Sequence, residues 1–224
     1  GIERIIQMLN VCDEQLIVDQ KGIYSVEKFL MARRFMYWQV YLHKTSIVGD
    51  CLLVGTLQRA KELLASGEQI FASPFLAFFL TQNFTKEDLQ REDVLTNFCN
   101  LDDNEIISAI KVWQTNPDRT LSLMSKMIIE RNLLKIEIAD VPYSAEYINA
   151  KETEAARVLE VDANLTKYFV TSGKLSNKAY SSDGNSLKIG MKDGTLKELS
   201  ETSEIYNLTN DQRPQIKYFI TSVK

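Results

Sequence analysis

Arg33, Tyr37, Tyr41 and Lys44 lie within the run Ala32 to Lys44, ARRFMYWQVYLHK. Wound as a continuous α-helix at about 100° per residue, they fall at roughly 0°, 40°, 80° and 20°. Two cations and two phenols then share one narrow arc. A guanidinium grips phosphate oxygens through a bidentate fork, and a lysine adds a compact positive charge. Tyrosine rings flank a base or sugar while their hydroxyls hydrogen-bond. The set suits a nucleotide. The same residue types on a partly buried helix also commonly pair with carboxylates of a neighbouring helix, so geometry alone leaves both readings open.

The other chemistry-bearing residues are more scattered. His43 is the single histidine and is followed by Lys44, so no adjacent His-Asp pair exists in the sequence. At about 280° from Arg33 it points away from the proposed phosphate arc, which favours a hydrogen-bonded structural role over proton donation. Met36 and Trp38 also sit off that arc, where they pack in a bundle or against a second subunit. Lys178, in Asn177-Lys178-Ala179-Tyr180 ahead of Asp183-Gly184, offers a cation to an anion or simply decorates a solvated hairpin. Glu152, Glu154, Glu160 and Asp162 lack partner histidines and calcium-loop spacing, and read as the wet face of a helix. Cys12, Cys51 and Cys99 are odd in number and widely spaced, which suggests neither a disulfide framework nor a zinc cluster. Buried free thiols are expected.

Composition narrows the classes further. The 224 residues are 45% apolar, enough for an ordinary core in one large or two small domains. A net charge of -4 gives no general nucleic-acid affinity and no polybasic membrane patch, so any phosphate binding is local. No apolar run approaches the roughly 18 residues of a membrane span, and no signal-peptide pattern opens the chain. These features point to a cytoplasmic protein without membrane partners.

Stepping along the elements, the start places Ile2, Ile5, Ile6 and Leu9 at helical spacing. From Ser25 to about Ser66 there is no proline, and apolar residues from Phe29 to Leu64 recur at helical spacing. One long helix or two nearly collinear ones are expected, with Ser25 as N-cap, Gly67 as stop, and a bend or close helix crossing near Gly49 and Gly55. Ser73-Pro74 opens a short apolar helix, Thr85 and Asp88 have capping spacing, Asp102 starts a helix through Trp113, and Pro117-Asp118 turns into a helix ending near Arg131. The texture then changes. Residues 134–138 alternate as a strand, 144–160 read as a helix, and 167–171, 187–191, 196–199 and 216–222 read as strands, with Asp183-Gly184 and Asp193-Gly194 as hairpin turns. The predicted fold is mainly α with a C-terminal α+β part: a helical bundle built on a long helix, 1–132, then a small antiparallel sheet with a covering helix, 133–224.

Val18-Asp19-Gln20-Lys21-Gly22-Ile23-Tyr24-Ser25, together with Ala32 to Lys44, resembles the C-terminal half of HD-domain phosphohydrolases of the deoxynucleoside triphosphate triphosphohydrolase type, bacterial branch. The likeness covers about the first 65 residues well, and Arg131 to Lys135 and Asn177 to Tyr180 more loosely. It implies that Arg33 contacts triphosphate, that Tyr37 and Tyr41 line a nucleoside pocket, and that Lys44 adds electrostatic support. Tyr37 stands where vertebrate members have histidine, and Leu42 where they have a sugar-reading glutamine. Lys21 matches a lysine that binds an activating nucleotide between subunits. Asp19 replaces an arginine there and would repel phosphate, so Lys21 is carried forward as a phosphate or oligomer contact. Family members hold a divalent metal, such as Mg2+ or Mn2+, with histidines and aspartates that precede the long helix. The resemblance therefore implies a segment starting just after those ligands, with no catalytic or metal-binding residue of its own. Its partners would be a dNTP-like nucleotide and further copies of itself. The alternative is a non-catalytic helical interaction or oligomerisation module.

Overall fold

Four helix starts that the sequence marks, at Ser73, Asp102, Asp118 and Ser144, are closed by those side chains. The computed structural model describes residues 2–177, 187–203 and 215–224. Ser73 accepts from the Leu76 amide at the head of α4 (Pro74–Thr81), and Asp102 accepts from the Asn104 and Glu105 amides at the head of α6 (Asp103–Trp113). Asp118 accepts from the Leu121 amide at α7 (Arg119–Ile129), and Ser144 from the Tyr147 amide at α8 (Ala145–Leu159). Each cap satisfies amides that have no partner inside the helix. Gly67, at φ 92°, ends α3 (Lys44–Ala65), where the Glu68 amide reaches back to the Leu63 carbonyl.

The expected run from Ser25 to Ser66 is interrupted. Helix α2 spans Ile23–Met36, with Gly22 as its N-cap and Ser25 inside it. Tyr37–Tyr41 is a π-helical turn in which the Leu42 amide donates to the Tyr37 carbonyl at 2.7 Å. Leu42 then leaves helical geometry at φ -96°, ψ 18°, and α3 starts afresh at Lys44.

The chain divides into two compact units that interleave along the sequence, with bounds that differ from the expected 132/133 division. One comprises Gly1–His43 and Lys174–Lys217, the other Lys44–Gly173 and Tyr218–Lys224.

In the first unit, α1 (Ile2–Gln7) leads into a hairpin of β1 (Leu9–Cys12) and β2 (Gln15–Asp19), where continued helix was expected at Leu9. Asp13 and Glu14, at φ 48° and 60°, form its two-residue turn. Strand β2 pairs in parallel with β5 (Lys188–Gly190), and β5 pairs antiparallel with β6 (Leu196–Glu198), giving the order β1-β2-β5-β6. Gly194, at φ 83°, makes the β5–β6 turn as its Asp-Gly dipeptide predicts. A short α9 (Leu199–Thr202) follows. Val18, Ile23, Val26, Ile189 and Leu199 form this unit's core.

The second unit carries the larger core. Helices α3, α4, α6 and α7 enclose Ala60, Leu63, Leu76, Ile110, Trp113 and Leu121, and the buried Trp113 indole donates to the Phe71 carbonyl at 2.8 Å. Gly55 sits against Met124 and Tyr168, so a close helix approach holds there, whereas Gly49 faces open space. Helix α8 contributes Ala155 to a further cluster with Phe169 and Ile220. The second sheet has the order β3-β7-β4, from Lys135–Ala139, Gln215–Ser222 and Ser172–Asn177, with β3 and β7 antiparallel. Residues 163–168 wind as a 3-10 helix where a strand at 167–171 was expected. The described structure is mainly α, with small sheets and a covering helix, as the fold class predicts. One sheet also draws strands from the N-terminal region.

Candidate functional site

Helix α2 carries two arginines in its last turn, and the π turn that follows carries both candidate phenols. Arg33 lies in the last turn of α2 and is exposed. Its Nη2 donates to the Tyr37 hydroxyl at 3.4 Å, a long contact, and its guanidinium carbon stands 5.6 Å from the Tyr37 ring centroid. The Tyr37 and Tyr41 rings are tilted at 56°, with centroids 5.2 Å apart. Tyr37 is half-buried and Tyr41 is 57% exposed. One cation and two aromatic faces are thus gathered on one short stretch, and among the described residues no carboxylate forms an ion pair with Arg33. A π turn inside a helical run changes the phase of every side chain beyond it, and such turns are frequent at functional sites.

That phase change corrects the four-residue arc. Arg33, Tyr37 and Tyr41 come together, but the π turn and the break at Leu42 remove the continuous α-helix that placed Lys44 on the same arc. Lys44 is the exposed first residue of α3 and belongs to the other compact unit. Lys21 is exposed in the 3-10 turn Gln20–Gly22 between β2 and α2. Lys178 and the Asp183-Gly184 turn lie outside the described residues. The backbone N–H of His43 donates to the Val40 carbonyl at 3.3 Å.

Among the described residues, the side chains present do not fit a divalent metal. Among the described residues no group of three or more His, Cys, Asp or Glu side chains is placed to hold one. Cys12, Cys51 and Cys99 are free thiols, but Cys12 and Cys51 are half-buried and Cys99 is exposed, so the expected burial does not hold. Burial, then the neighbouring Asp50, pushes the Cys51 thiol above its ordinary pKa.

Two polar arrangements escaped the sequence reading. Glu27, buried on α2, accepts a hydrogen bond from Ser203 on Oε1, while among the described residues its buried Oε2 meets no hydrogen-bond partner. In the second unit, Arg59 forks onto Asp118 at 3.1 and 2.6 Å and reaches Glu62 at 3.2 Å, and Lys167 meets Glu62 at 3.1 Å. Burial raises the Asp118 carboxyl, but the Arg59 and Leu121 hydrogen bonds outweigh it and hold it below the usual carboxylate range. Glu62 is also lowered, chiefly by the Tyr168 hydroxyl beside it, with Lys167 and Arg59 adding to the effect. Apart from the i,i+3 pair Arg59–Glu62, no local sequence signal joins these partners, because Glu27 and Ser203 are 176 residues apart, Arg59 and Asp118 59, and Lys167 and Glu62 105.

Residues 1–73 match a family model described as an HD associated region. The whole chain superposes on part of a crystal structure of a phosphohydrolase from Bacteroides thetaiotaomicron, with a TM-score of 0.89 and 40% identity, covering 100% of this chain and 56% of that one. An uncharacterised protein of Bacillus subtilis is 27% identical over 135 residues, which is 60% of this chain and 29% of that protein. A hypothetical protein from Aquifex aeolicus shares the fold at a TM-score of 0.58 and 22% identity, over 99% of this chain and 48% of that one. The chain thus spans between 29% and 56% of the length of these relatives. The matched region and the phosphohydrolase together relate the chain to the HD-domain phosphohydrolases. Among the described residues no helix is long and apolar enough to cross a membrane.

Proposed function

We propose that this chain is the C-terminal, metal-free part of an HD-type phosphohydrolase that cleaves deoxynucleoside triphosphates to deoxynucleoside and triphosphate. The observation that carries the reading is the Arg33–Tyr37–Tyr41 cluster, an exposed guanidinium beside two aromatic rings on a π turn. Arg33 binds phosphate oxygens, so its charge stabilises negative charge that shifts during bond cleavage. Tyr37 and Tyr41 present ring faces to the nucleoside. Lys21 and Lys178 serve as phosphate or oligomer contacts. In this reading the whole protein's divalent metal is held by residues outside this sequence, and the protein works in the cytoplasm as a homo-oligomer.

The test is incubation of the whole protein with dGTP and Mg2+ or Mn2+, followed by chromatographic separation of the products. Triphosphate and deoxyguanosine are expected in equal amounts. Orthophosphate or pyrophosphate as the first product, or no turnover across the four common dNTPs, overturns the substrate assignment.

A second reading, a non-catalytic oligomerisation module, is favoured by the exposure of Phe29, Phe35 and Met36 on α2 and Val40 on the π turn, an apolar set of the kind that marks association surfaces. It predicts a stable dimer in sedimentation together with thermal melting that dGTP does not change.

A further inference from the structure

Helix α4 is apolar almost throughout, and its rings continue outward instead of closing into the core. Phe78 stacks on Phe84 with centroids 4.9 Å apart, Phe79 meets Phe84 edge-on at 5.4 Å, and Phe79 meets Phe98 at 6.3 Å. Phe98 belongs to α5 (Glu92–Asn100) and is 56% exposed. Leu95, one helical turn earlier on the same face, is 49% exposed, so the stack ends in an open apolar ridge.

The chain segment that carries that ridge is acidic, although Lys61 from α3 also reaches α4, its Nζ donating to the Phe79 carbonyl at 3.0 Å. Between Phe84 and Glu105 seven carboxylates stand against two cations, Lys86 and Arg91, a local net charge of -5 where the whole chain carries -4. Arg91 is already engaged, with its fork on Asp93 at 3.1 and 2.7 Å and Asp88 at 3.7 Å. Outside this segment the chain is therefore close to neutral. An apolar ridge in an anionic field selects its occupant by charge: phosphate-bearing surfaces, whether nucleic acid or anionic lipid, are repelled. A polypeptide face that pairs apolar side chains with lysines or arginines is attracted and steered.

We infer that the Phe79–Phe98 ridge, with Leu95, is a docking surface for a basic amphipathic helix of a partner protein. The apolar stripe of such a helix covers Leu95 and Phe98, as groove-bound helices do, while its cations meet the acidic rim. This surface lies wholly within the second compact unit and is separate from the Arg33–Tyr37–Tyr41 cluster.

The probe is a fluorescein-labelled synthetic leucine–lysine amphipathic helix, titrated with the whole protein in an anisotropy assay. Saturable binding that weakens with added salt is expected. A leucine–glutamate helix of the same length should bind at least about tenfold more weakly, and the Leu95→Ser/Phe98→Ser double variant should lose about tenfold in affinity for the lysine helix. Both substituted side chains are half exposed, so the thermal midpoint of the variant reports whether folding is intact. Equal affinity for the two helices, or undiminished binding by a folded double variant, overturns the inference. So does a dimer in sedimentation that the double variant abolishes, because the ridge is then covered by a second copy.

Discussion

Replacing Arg33 by alanine separates binding from folding, because the structure gives this side chain little structural work. Its contacts are a 3.4 Å approach to the Tyr37 hydroxyl and a 5.6 Å approach to the ring, both in solvent. An exposed cation–π contact is worth about 0.5–1 kcal/mol, and alanine recovers a few tenths through its higher helix propensity. The expected change in unfolding free energy is therefore within about 0.5 kcal/mol. A charge-assisted hydrogen-bonded fork to phosphate is worth about 1.5–3 kcal/mol, and at about 1.4 kcal/mol per factor of ten its loss lowers kcat/KM roughly ten- to a hundred-and-fifty-fold. Arg33→Lys keeps the charge without the fork and should fall between the two. The assay pairs steady-state dNTP hydrolysis by the whole protein with urea unfolding of the same preparations. A kcat/KM within twofold of wild type, at unchanged urea midpoint, refutes the phosphate role. A loss of stability near 2 kcal/mol would instead make Arg33 a structural residue.

Three further outcomes follow from the same geometry. Asp118 and Glu62 have depressed folded-state pKa values, so their stabilisation is complete above the unfolded values, about 3.9 and 4.3, and is lost as pH falls through the folded ones. The urea midpoint should drop as pH is lowered past about 4. Asp118→Asn keeps a competent N-cap but loses the charge facing Arg59, where both side chains are 16% exposed, and should cost about 2 kcal/mol at neutral pH with a shallower acid dependence. A variant with the wild-type acid profile would show that this pair is not the source. Gly173→Ala places a Cβ 2.5 Å from a ring carbon of the buried Phe219, so destabilisation of about 1–3 kcal/mol is expected in thermal melts. A change below about 0.5 kcal/mol would mean that the ring moves aside freely.

The sequence announced helices best where a cap and a periodic stripe agreed. Ser73-Pro74, Asp102, Asp118 and Ser144 each state a start through a side-chain acceptor, and each start is observed. Asp193-Gly194 was equally legible, because glycine removes the penalty for positive φ. The β1–β2 hairpin was not, because its turn is Asp13-Glu14, with no glycine to signal it and a glutamate at φ 60°. Its flanks, Leu9 and Ile5 among them, also satisfy a helical period, which short apolar runs cannot resolve. At the candidate site, the residue types and the nearness of Arg33, Tyr37 and Tyr41 were readable from their spacing. The π turn was not, because so short a stretch of i to i+5 bonding leaves no periodic trace, and assuming α geometry through it placed Lys44 on the Arg33 arc. The Glu27–Ser203 and Arg59–Asp118 pairs depend on tertiary return of distant segments, which no local pattern encodes.

The parallel pairing of Ile17 with Lys188 has a temporal consequence during synthesis. At roughly 5–20 residues per second, a ribosome needs about 9–34 seconds after making β2 to deliver its neighbour. Through that interval the nascent hairpin offers bare backbone donors and acceptors along one side. The cell must keep that side from recruiting a foreign strand until Lys188–Gly190 arrives, so delivery of β5, not the start of translation, sets when this sheet closes.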